Sequence, residues 1–413
     1  MKIFRINIYL KLKILIKSIF SEDIIFKKID KIILFQSKKK YLTYTSQLRT
    51  GFLLILKFLK LKYKKKNEIV LMSYNLKEMA NIPSRLNLKI NFCDISLRTG
   101  SINIMELQKK INNKTLCVVL TNIFSDYKSC QKIKQLCNRN KIPLIEDNAI
   151  YFDNYIKKNK KIYSGSFGDY SLLSFNIMKN ISGFYGGSIS HDDLEFKSYC
   201  SNLFNKNIKF PNILYLRQVI IFFVLKIFSL NLLYNYIFHY LFYLASEFKI
   251  NFIQNLIYPS LRFRNSKIPN YYLSPIKNFT KKLIYFQLKD FKSRKKNHDI
   301  RKINNKYYYS KLKKMNSKDI LLFPIQDFNF QNYLEFPVLF KKKEKIHKYL
   351  MEKGFDLKKI HYFNCAKEFK NKSRCNNSER IENEILCLPN HYKIDNYYIN
   401  RLIKEIKIFY KNN

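Results

Sequence analysis

Short apolar runs alternate with segments of helical periodicity through the first half of the chain. The apolar runs predict buried strands at 68–73, 88–94, 116–121, 142–147 and 169–175. Apolar positions at helical spacing predict helices at 76–86, 105–112 and 127–138. Continuously apolar strands that alternate with helices are typical of a mostly parallel sheet with helices on both faces. The pattern therefore predicts an α/β fold for this part of the chain.

A basic, apolar segment and a polar turn precede this pattern. Residues 1–40 mix lysines with apolar residues and contain no clear motif, so we expect one or two helices there. This segment lacks an uninterrupted apolar core and a small-residue cleavage site, which argues against a signal peptide. The polar turn at 44–51 opens onto a helix predicted at 52–61. A helix N-terminus presents unpaired backbone N–H groups, which suit a phosphate.

The stretch 219–245 is almost entirely apolar, with one lysine (Lys226) and one histidine (His239). Its length is sufficient to span a membrane, but Lys226 and the polar break at 229–231 favour two shorter helices. Three placements remain open: a spanning helix, a hairpin at a membrane interface, and a hairpin packed internally or in a dimer interface. Basic residues just before the stretch favour an anionic surface.

The chain becomes more polar after Pro269. The pattern predicts a long helix at 277–313, a strand at 323–340, a helix at 343–353 ended by Gly354, a strand at 385–391 and a helix at 396–410. These elements indicate a separate, smaller C-terminal α+β domain. We therefore predict four regions: a helical arm (1–40), a large α/β domain (41–205), an apolar hairpin insertion (206–262) and the small domain (263–413).

Composition adds a strong positive charge to this picture. The 413 residues include 77 Lys plus Arg against 30 Asp plus Glu, a net charge of +47. Such an excess indicates an anionic partner or the codon bias of an AT-rich genome. Because the lysines are spread along the chain, we favour codon bias and predict no specific nucleic-acid partner. The charge would still attract anionic lipid and phosphorylated substrates.

The eight cysteines have neither CxxC nor zinc-finger spacing. Several lie within apolar runs, so we expect buried free thiols, a reducing compartment and no metal site.

Candidate chemistry lies at the ends of two predicted strands. Asp147 ends one strand, Ser174 lies at the end of the next, and Lys179 follows in the loop. In parallel sheets, ligands bind at the carboxyl ends of the strands. A lysine, a carboxylate and phosphate donors are the groups that pyridoxal phosphate requires. The three residues therefore favour a pyridoxal phosphate site.

Four motifs carry a resemblance to a known family. They are 144–149 (LIEDNA), 165–169 (GSFGD), 174–179 (SFNIMK) and the pair Gly186 and Gly187. Their order and spacing resemble the DegT/DnrJ/EryC1/StrS sugar aminotransferase family, over about 40–200 and 265–413 of this chain. The resemblance implies pyridoxal phosphate transferase fold type I and a homodimer. It also implies amination of nucleotide-linked keto-sugars, often with glutamate as the donor.

The resemblance assigns a role to each candidate residue. Lys179 resembles the lysine that binds the cofactor aldehyde, and Asp147 resembles the partner of the pyridine nitrogen. Ser174 resembles the hydroxyl that contacts the phosphate. The peptide between Leu48 and Arg49 lies where the family has its phosphate-binding turn. As departures, Leu48 replaces a usual glycine and Ile150 replaces a usual Gln or His.

Two further expectations follow from the resemblance. The aromatic residue that stacks on the cofactor ring is expected near Tyr74 or Leu76. Family members that act as dehydratases replace the cofactor lysine, so Lys179 favours an aminotransferase.

We therefore expect an aminotransferase for surface-polysaccharide or glycan biosynthesis, cytoplasmic or peripheral on the inner face of the membrane. Its partners would be a keto-sugar nucleotide, an amino-acid donor, a second copy of the chain and an anionic membrane surface. The alternative is a membrane-associated, non-catalytic member of the same fold that serves as a scaffold in a glycan-assembly complex.

Overall fold

A computed structural model describes residues 2–22, 27–206, 208–248, 268–371 and 373–412, without the side chains of 27–29. The helices are α1 Leu12–Phe20, α2 Lys27–Ser37, α3 Leu48–Lys62, α4 Lys77–Arg85, α5 Ile104–Lys110, α6 Tyr127–Arg139, α7 Leu194–Phe204, α8 Asn212–Phe228, α9 Asn231–Glu247, α10 Asn278–Lys289, α11 Phe291–Lys313, α12 Lys343–Glu352, α13 Cys365–Glu368, α14 Asn376–Glu384 and α15 Asn396–Asn412. The strands are β1 Tyr41–Thr45, β2 Glu68–Met72, β3 Tyr74–Asn75, β4 Lys89–Cys93, β5 Thr115–Thr121, β6 Leu144–Asp147, β7 Tyr155–Lys157, β8 Lys161–Tyr163, β9 Tyr170–Ser174, β10 Gly187–His191, β11 Ile320–Leu321, β12 Glu335–Phe340, β13 Phe363–Asn364 and β14 Ile385–Pro389.

A seven-stranded sheet forms the centre of the molecule, in the order β1-β10-β9-β6-β5-β2-β4. Strands β9, β6, β5, β2 and β4 are parallel, and β10 and β1 continue the sheet in antiparallel pairing. The predicted parallel strands and the α/β fold are confirmed. Strand β10 was not predicted, because GSISH contains one large apolar residue, Ile189.

Alternate residues of the central strands belong to two separate hydrophobic cores. On β2, Val70 and Met72 contact one core, whereas Ile69 and Leu71 contact the other. Helix α3 covers the second core with nearly all its apolar residues buried. Burial on both faces explains why these strands are continuously apolar.

The turn predicted at 44–51 is wrong in part. Tyr44 and Thr45 belong to β1, and α3 begins at Leu48, four residues before the predicted start at Phe52. A Cβ atom at Gly51 would lie 3.0 Å from side-chain carbons of Ile189 and Leu172. The small residue therefore allows the first turn of α3 to pack closely on the sheet.

Two predictions for the C-terminal half are corrected. The helix predicted at 277–313 is two helices, because Asp290 caps α11 by accepting a hydrogen bond from the Ser293 N–H (3.2 Å). The strand predicted at 323–340 is limited to β12. Before it, Asp327 accepts backbone hydrogen bonds from Asn329 (2.7 Å) and Phe330 (3.0 Å). Phe330 lies in this turn and is fully buried. The apolar character that predicted a strand here therefore belongs to a turn that packs into the core.

The apolar stretch forms two helices, as predicted. Helix α8 ends at Phe228, and α9 begins at Asn231 and includes a π-helical turn at Tyr234–Phe238. In the described part of the chain, no single helix is long and apolar enough to cross a membrane. Helices α8 and α9 meet that test together, but they are bent by 74°.

The first residues of the N-terminal arm contact the C-terminal part of the chain, which contains the three-stranded antiparallel sheet β11-β12-β14. Ile3 forms a parallel bridge with Phe355, and the Arg5 guanidinium pairs with the Asp356 carboxylate. The arm also contains two helices, α1 and α2, which confirms the helices expected in 1–40. Gly354 ends α12 with φ of 88°, as predicted. All eight cysteines are buried free thiols, also as predicted.

Candidate active site

A cleft of about 280 Å³ lies at the carboxyl edge of the central sheet. The five residues assigned from the sequence all line it: Leu48, Arg49, Asp147, Ser174 and Lys179. They come from the start of α3, the ends of β6 and β9, and the loop after β9. The fold therefore brings these residues to one place although they span more than a hundred positions of sequence.

Asp147 is held at the base of the cleft by strand pairing. It lies opposite Thr121 of β5 and Leu172 of β9. Its carboxylate accepts a hydrogen bond from the Ala149 N–H (3.0 Å). Burial raises the pKa of Asp147 to about 6, although the Ala149 N–H and nearby Lys179 act to lower it. A buried carboxylate at this position is suited to a positively charged partner.

Lys179 lies in the loop after β9 and is half-buried. Its backbone N–H donates to the Asn176 carbonyl (3.0 Å). Burial lowers the pKa of the Lys179 ammonium to about 8, against the opposing effect of Asp147. A lysine with such a pKa is partly neutral near physiological pH, as a nucleophile and proton acceptor requires.

Glu146 holds the loop of the GSFGD motif. Its carboxylate accepts backbone hydrogen bonds from Gly165 (2.7 Å), Phe167 (2.8 Å) and Gly168 (2.9 Å). Asn122 donates a further hydrogen bond to it (2.8 Å). This buried carboxylate joins two of the sequence motifs and has a structural role behind the cleft.

The start of α3 approaches the paired glycines. Gln47 bridges to Gly186, and a Cβ atom at Gly187 would lie 2.6 Å from the Leu48 nitrogen. The absence of a side chain at Gly187 therefore permits a close backbone approach. The Gln47 side chain does not cap α3, so the helix reaches the cleft with an N-terminus suited to an anion.

Hydrogen bonds hold the Arg49 side chain in the wall of the cleft. Its Nη1 donates to Glu78 Oε1 and to the Tyr272 hydroxyl, both at 3.1 Å. The guanidinium is therefore engaged by protein groups. Its backbone N–H remains part of the uncapped first turn.

The aromatic residue of the cleft was not identified from the sequence. Tyr74 is fully buried behind the cleft, where its hydroxyl and His361 Nδ1 share a hydrogen bond (3.1 Å). Leu76 and Ile150 line the cleft. Phe124 also lines it, stacked 4.3 Å from Phe323.

The C-terminal part of the chain contributes polar groups that sequence spacing did not reveal. Glu335, Lys358 and His361 line the cleft. A carboxylate oxygen of Glu335, a ring nitrogen of His361 and the sulfur of buried Cys387 lie within 4.8 Å of one another. These three atoms are close enough to bind one metal ion. The Lys358 ammonium, however, already pairs with Glu335 (2.6 Å). These residues belong to separate elements, and no local motif connects them.

One wall of the cleft comes from the N-terminal arm and α8. Its members include Arg5, Asn7 and Tyr9 of the arm and Leu214, Arg217 and Gln218 of α8. The sequence did not associate either segment with the site.

Comparison with known proteins agrees with this geometry. The sequence profile of the DegT/DnrJ/EryC1/StrS aminotransferase family matches residues 36–215. GDP-perosamine synthase of Vibrio cholerae is 28% identical over 117 residues, which are 28% of this chain and 31% of that protein. The chain thus spans about a third of the length of this curated relative.

Solved structures extend the likeness to the whole chain. Helicobacter pylori PseC, an aminotransferase involved in pseudoaminic acid biosynthesis, has a TM-score of 0.72 at 14% identity and covers 100% of both chains. A GDP-4-keto-6-deoxymannose-3-dehydratase with a trapped PLP-glutamate geminal diamine has a TM-score of 0.69 at 17% identity, covering 98% of this chain and 99% of its own. The predicted pyridoxal phosphate transferase fold type I is confirmed.

Proposed function

Residues 36–215 belong to the DegT/DnrJ/EryC1/StrS aminotransferase family, and from that membership we propose that this protein is a pyridoxal phosphate-dependent sugar aminotransferase. The observation that carries the proposal is the convergence of Asp147, Lys179 and the uncapped start of α3 on one cleft. These groups match the three parts of the cofactor: its pyridine nitrogen, its aldehyde and its phosphate.

The residues fit the cofactor in charge and burial. Asp147 is almost fully buried, and its carboxylate would face the protonated pyridine nitrogen. Ser174 and the N–H groups at Leu48 and Arg49 would hold the phosphate. Lys179 would bind the aldehyde carbon through Nζ. When bound, pyridoxal phosphate supplies an electron sink for bond changes at the amino-acid carbon.

Lys179 would also move the proton. Its lowered pKa of about 8 leaves part of the side chain neutral near physiological pH. Once released by the incoming amine, the same Nζ can accept a proton at one carbon and return it at another. Asp147 would keep the ring nitrogen protonated throughout.

The substrate class comes from the relatives. We propose a nucleotide-linked keto-sugar as acceptor and glutamate as amino donor, in the synthesis of a surface polysaccharide or glycan. The name of the perosamine synthase supports a nucleotide sugar. The PLP-glutamate adduct in the dehydratase structure supports glutamate. We also propose a cytoplasmic homodimer, which analytical ultracentrifugation would test.

A non-catalytic membrane scaffold remains the second candidate. The bent apolar pair α8 and α9 favours it. It has less support, because a scaffold requires neither a buried Asp147 nor a lysine of lowered pKa in the same cleft.

Cofactor absorbance separates the two candidates. We expect the purified protein, incubated with pyridoxal phosphate and desalted, to show the visible band of a lysine-bound cofactor. Lys179→Ala should lose that band, whereas Lys132→Ala, at an exposed position of α6, should keep it. Wild-type protein that binds no pyridoxal phosphate would refute the proposal. A glutamate-dependent screen of keto-sugar nucleotides would then test the acceptor.

A further inference from the structure

Helix α8 presents an unbroken apolar stripe to solvent. Its exposed members are Ile213, Leu216, Ile220, Phe223 and Ile227. They recur at alternating intervals of three and four residues, which places them on one side of the helix. The opposite side, with Ile221, Phe222 and Leu225, is buried.

Helix α9 also exposes apolar residues beyond the bend. Its exposed apolar and aromatic members are Leu232, Tyr236, Ile237, Tyr240, Leu241 and Leu244. Leu232 and Tyr236 are 75% and 76% exposed. Single exposed apolar residues are ordinary, but a set of this size on two successive helices indicates an interaction site. We call the exposed apolar residues of α8 and α9 the hairpin surface.

The hairpin surface is fixed to the body of the protein. Phe222 and Phe242 belong to the same buried cluster as Phe4 of the N-terminal arm. The Lys226 ammonium donates to the Ile8 carbonyl (3.2 Å). The hairpin therefore holds its exposed side in a defined orientation.

Charge indicates which partner covers the hairpin surface. Lys206, Lys209 and Arg217 are exposed at the start of α8. Between Asn212 and Phe248 the chain has one acidic residue, Glu247, and this residue pairs with Lys348 (2.6 Å). The same basic side chains of a second copy would repel those beside the hairpin surface, whereas an anionic bilayer would attract them.

The geometry of α8 and α9 indicates how these helices would lie against the bilayer. The two helices are bent by 74°, and neither is long enough alone to cross a membrane. Each has one apolar side outward and one side packed on the protein. This is the arrangement of helices that lie in the membrane interface, with tyrosine and basic side chains at headgroup level.

We propose that the hairpin surface seats this protein on a bilayer of anionic phospholipid, with the mouth of the cleft at the membrane. Leu214, Arg217 and Gln218 of α8 also line the cleft, so a docked hairpin would bring the cleft to the membrane. The role of the cleft as the acceptor site rests on the proposed function. The keto-sugar acceptor would then reach the enzyme at the membrane surface.

Vesicle flotation of the full-length, cofactor-loaded protein tests the proposal. The probes are vesicles of phosphatidylglycerol with phosphatidylcholine and vesicles of phosphatidylcholine alone. We expect binding to the anionic vesicles, weaker binding in high salt and much weaker binding to the neutral ones. The double variant Ile220→Asp/Phe223→Asp should bind at least about tenfold more weakly. Leu61→Asp, at a 62% exposed position of α3, is the matched control.

The outcomes separate docking from catalysis. Neither Ile220 nor Phe223 lines the cleft, so the double variant should keep the cofactor band and wild-type circular dichroism. If wild-type protein does not float with anionic vesicles, or if the double variant floats as well as Leu61→Asp, docking is wrong. Wild-type dimers that bind no vesicles but become monomers in the double variant would show that a second copy covers the surface. Loss of the cofactor band in wild-type protein would refute the proposed function and leave docking intact.

Discussion

At the residue scale, burial disfavours the charged forms of two side chains in the cleft, the Asp147 carboxylate and the Lys179 ammonium. The pKa of Asp147 rises to about 6 and that of Lys179 falls to about 8. Each shift means that the folded protein without a cofactor holds a charge at some cost in stability. Such costs are common where a site is arranged for a ligand.

Asp147→Asn should therefore stabilise the cofactor-free protein above about pH 6 while weakening cofactor binding. Because the folded pKa of about 6 exceeds the ordinary 3.8, the cost of the Asp147 charge develops as pH rises between these values and is absent below them. We expect a gain of about 1–3 kcal/mol near pH 8, since loss of the attraction to Lys179 offsets part of it. Urea unfolding at several pH values measures this; a variant less stable than wild type near pH 8 would contradict it.

Gly187→Ala should weaken cofactor binding by displacing the start of α3. The new Cβ would meet the Leu48 nitrogen at 2.6 Å, and backbone atoms have to move to accommodate it. We expect a loss of about 1–3 kcal/mol in stability and a clearly higher Kd for pyridoxal phosphate. Gly354→Ala, at the end of α12 with φ of 88°, is the control: it should lose stability with an unchanged Kd. Equal Kd values for both variants would refute the role of Gly187.

Single residues could be predicted from the sequence where a motif surrounds them. Asp147, Ser174 and Lys179 lie in or beside motifs and line the cleft. Tyr74 was a candidate to stack on the cofactor ring, but its side chain is buried behind the cleft and its hydroxyl forms a hydrogen bond with His361. His361 lies 287 positions later in the chain, and only tertiary contacts bring it there.

At the element scale, Glu146 connects strand β6 to the loop that follows β8. Glu146→Gln would put an amide N–H₂ group where backbone N–H groups now donate. We expect a loss of about 2–3 kcal/mol in the free energy of unfolding, because buried donors would lose their acceptor. Glu195→Gln, at an exposed ion pair with Lys62 (2.6 Å), should change it by less than about 1 kcal/mol. Chemical denaturation compares the two; a similar small change in both would contradict the structural role of Glu146.

Elements were predictable where burial was uniform along them. The parallel strands are apolar throughout because both faces are covered. Strand β10 could not be predicted, because its buried residues include serine and histidine and so do not form an apolar run. The break between α10 and α11 at Asp290 could not be predicted either, since one capping carboxylate interrupts an otherwise continuous helical pattern.

At the scale of the whole molecule, Asp356 ties three segments together. It is fully buried and accepts hydrogen bonds from the Arg5 backbone (3.1 Å), the Arg5 guanidinium and the Tyr234 hydroxyl (2.8 Å). Through it, the N-terminal arm and α9 are joined to the segment that follows α12. The arm in turn supplies part of the cleft wall.

Asp356→Asn should loosen the arm as well as destabilise the protein. We expect a loss of about 3–5 kcal/mol, because Arg5 would keep a buried charge without its counter-ion. Limited proteolysis should cut faster within the first ten residues or so. Asp319→Asn, at an exposed ion pair with Lys341 (3.3 Å), should behave as wild type. An arm that stays resistant in Asp356→Asn would show that other contacts hold it.

The overall architecture followed from the sequence more completely than the cleft did. Alternating strands and helices predict the sheet and the edge at which ligands bind. The wall made by Tyr9 and Arg217 could not be predicted, because neither segment carries a motif and each reaches the cleft only by packing on distant parts of the chain.

This division of the cleft bears on how specificity could change through evolution. The residues proposed to hold the cofactor lie within the family-matched segment 36–215, whereas Tyr9 of the arm and Arg217 and Gln218 of α8, which also line the cleft, lie outside it. Under the proposed function, the reaction with the amino donor depends chiefly on the first set and the choice of acceptor on the second. Substitutions at Tyr9 or Arg217 should thus alter the sugar that is accepted while leaving the exchange with glutamate intact.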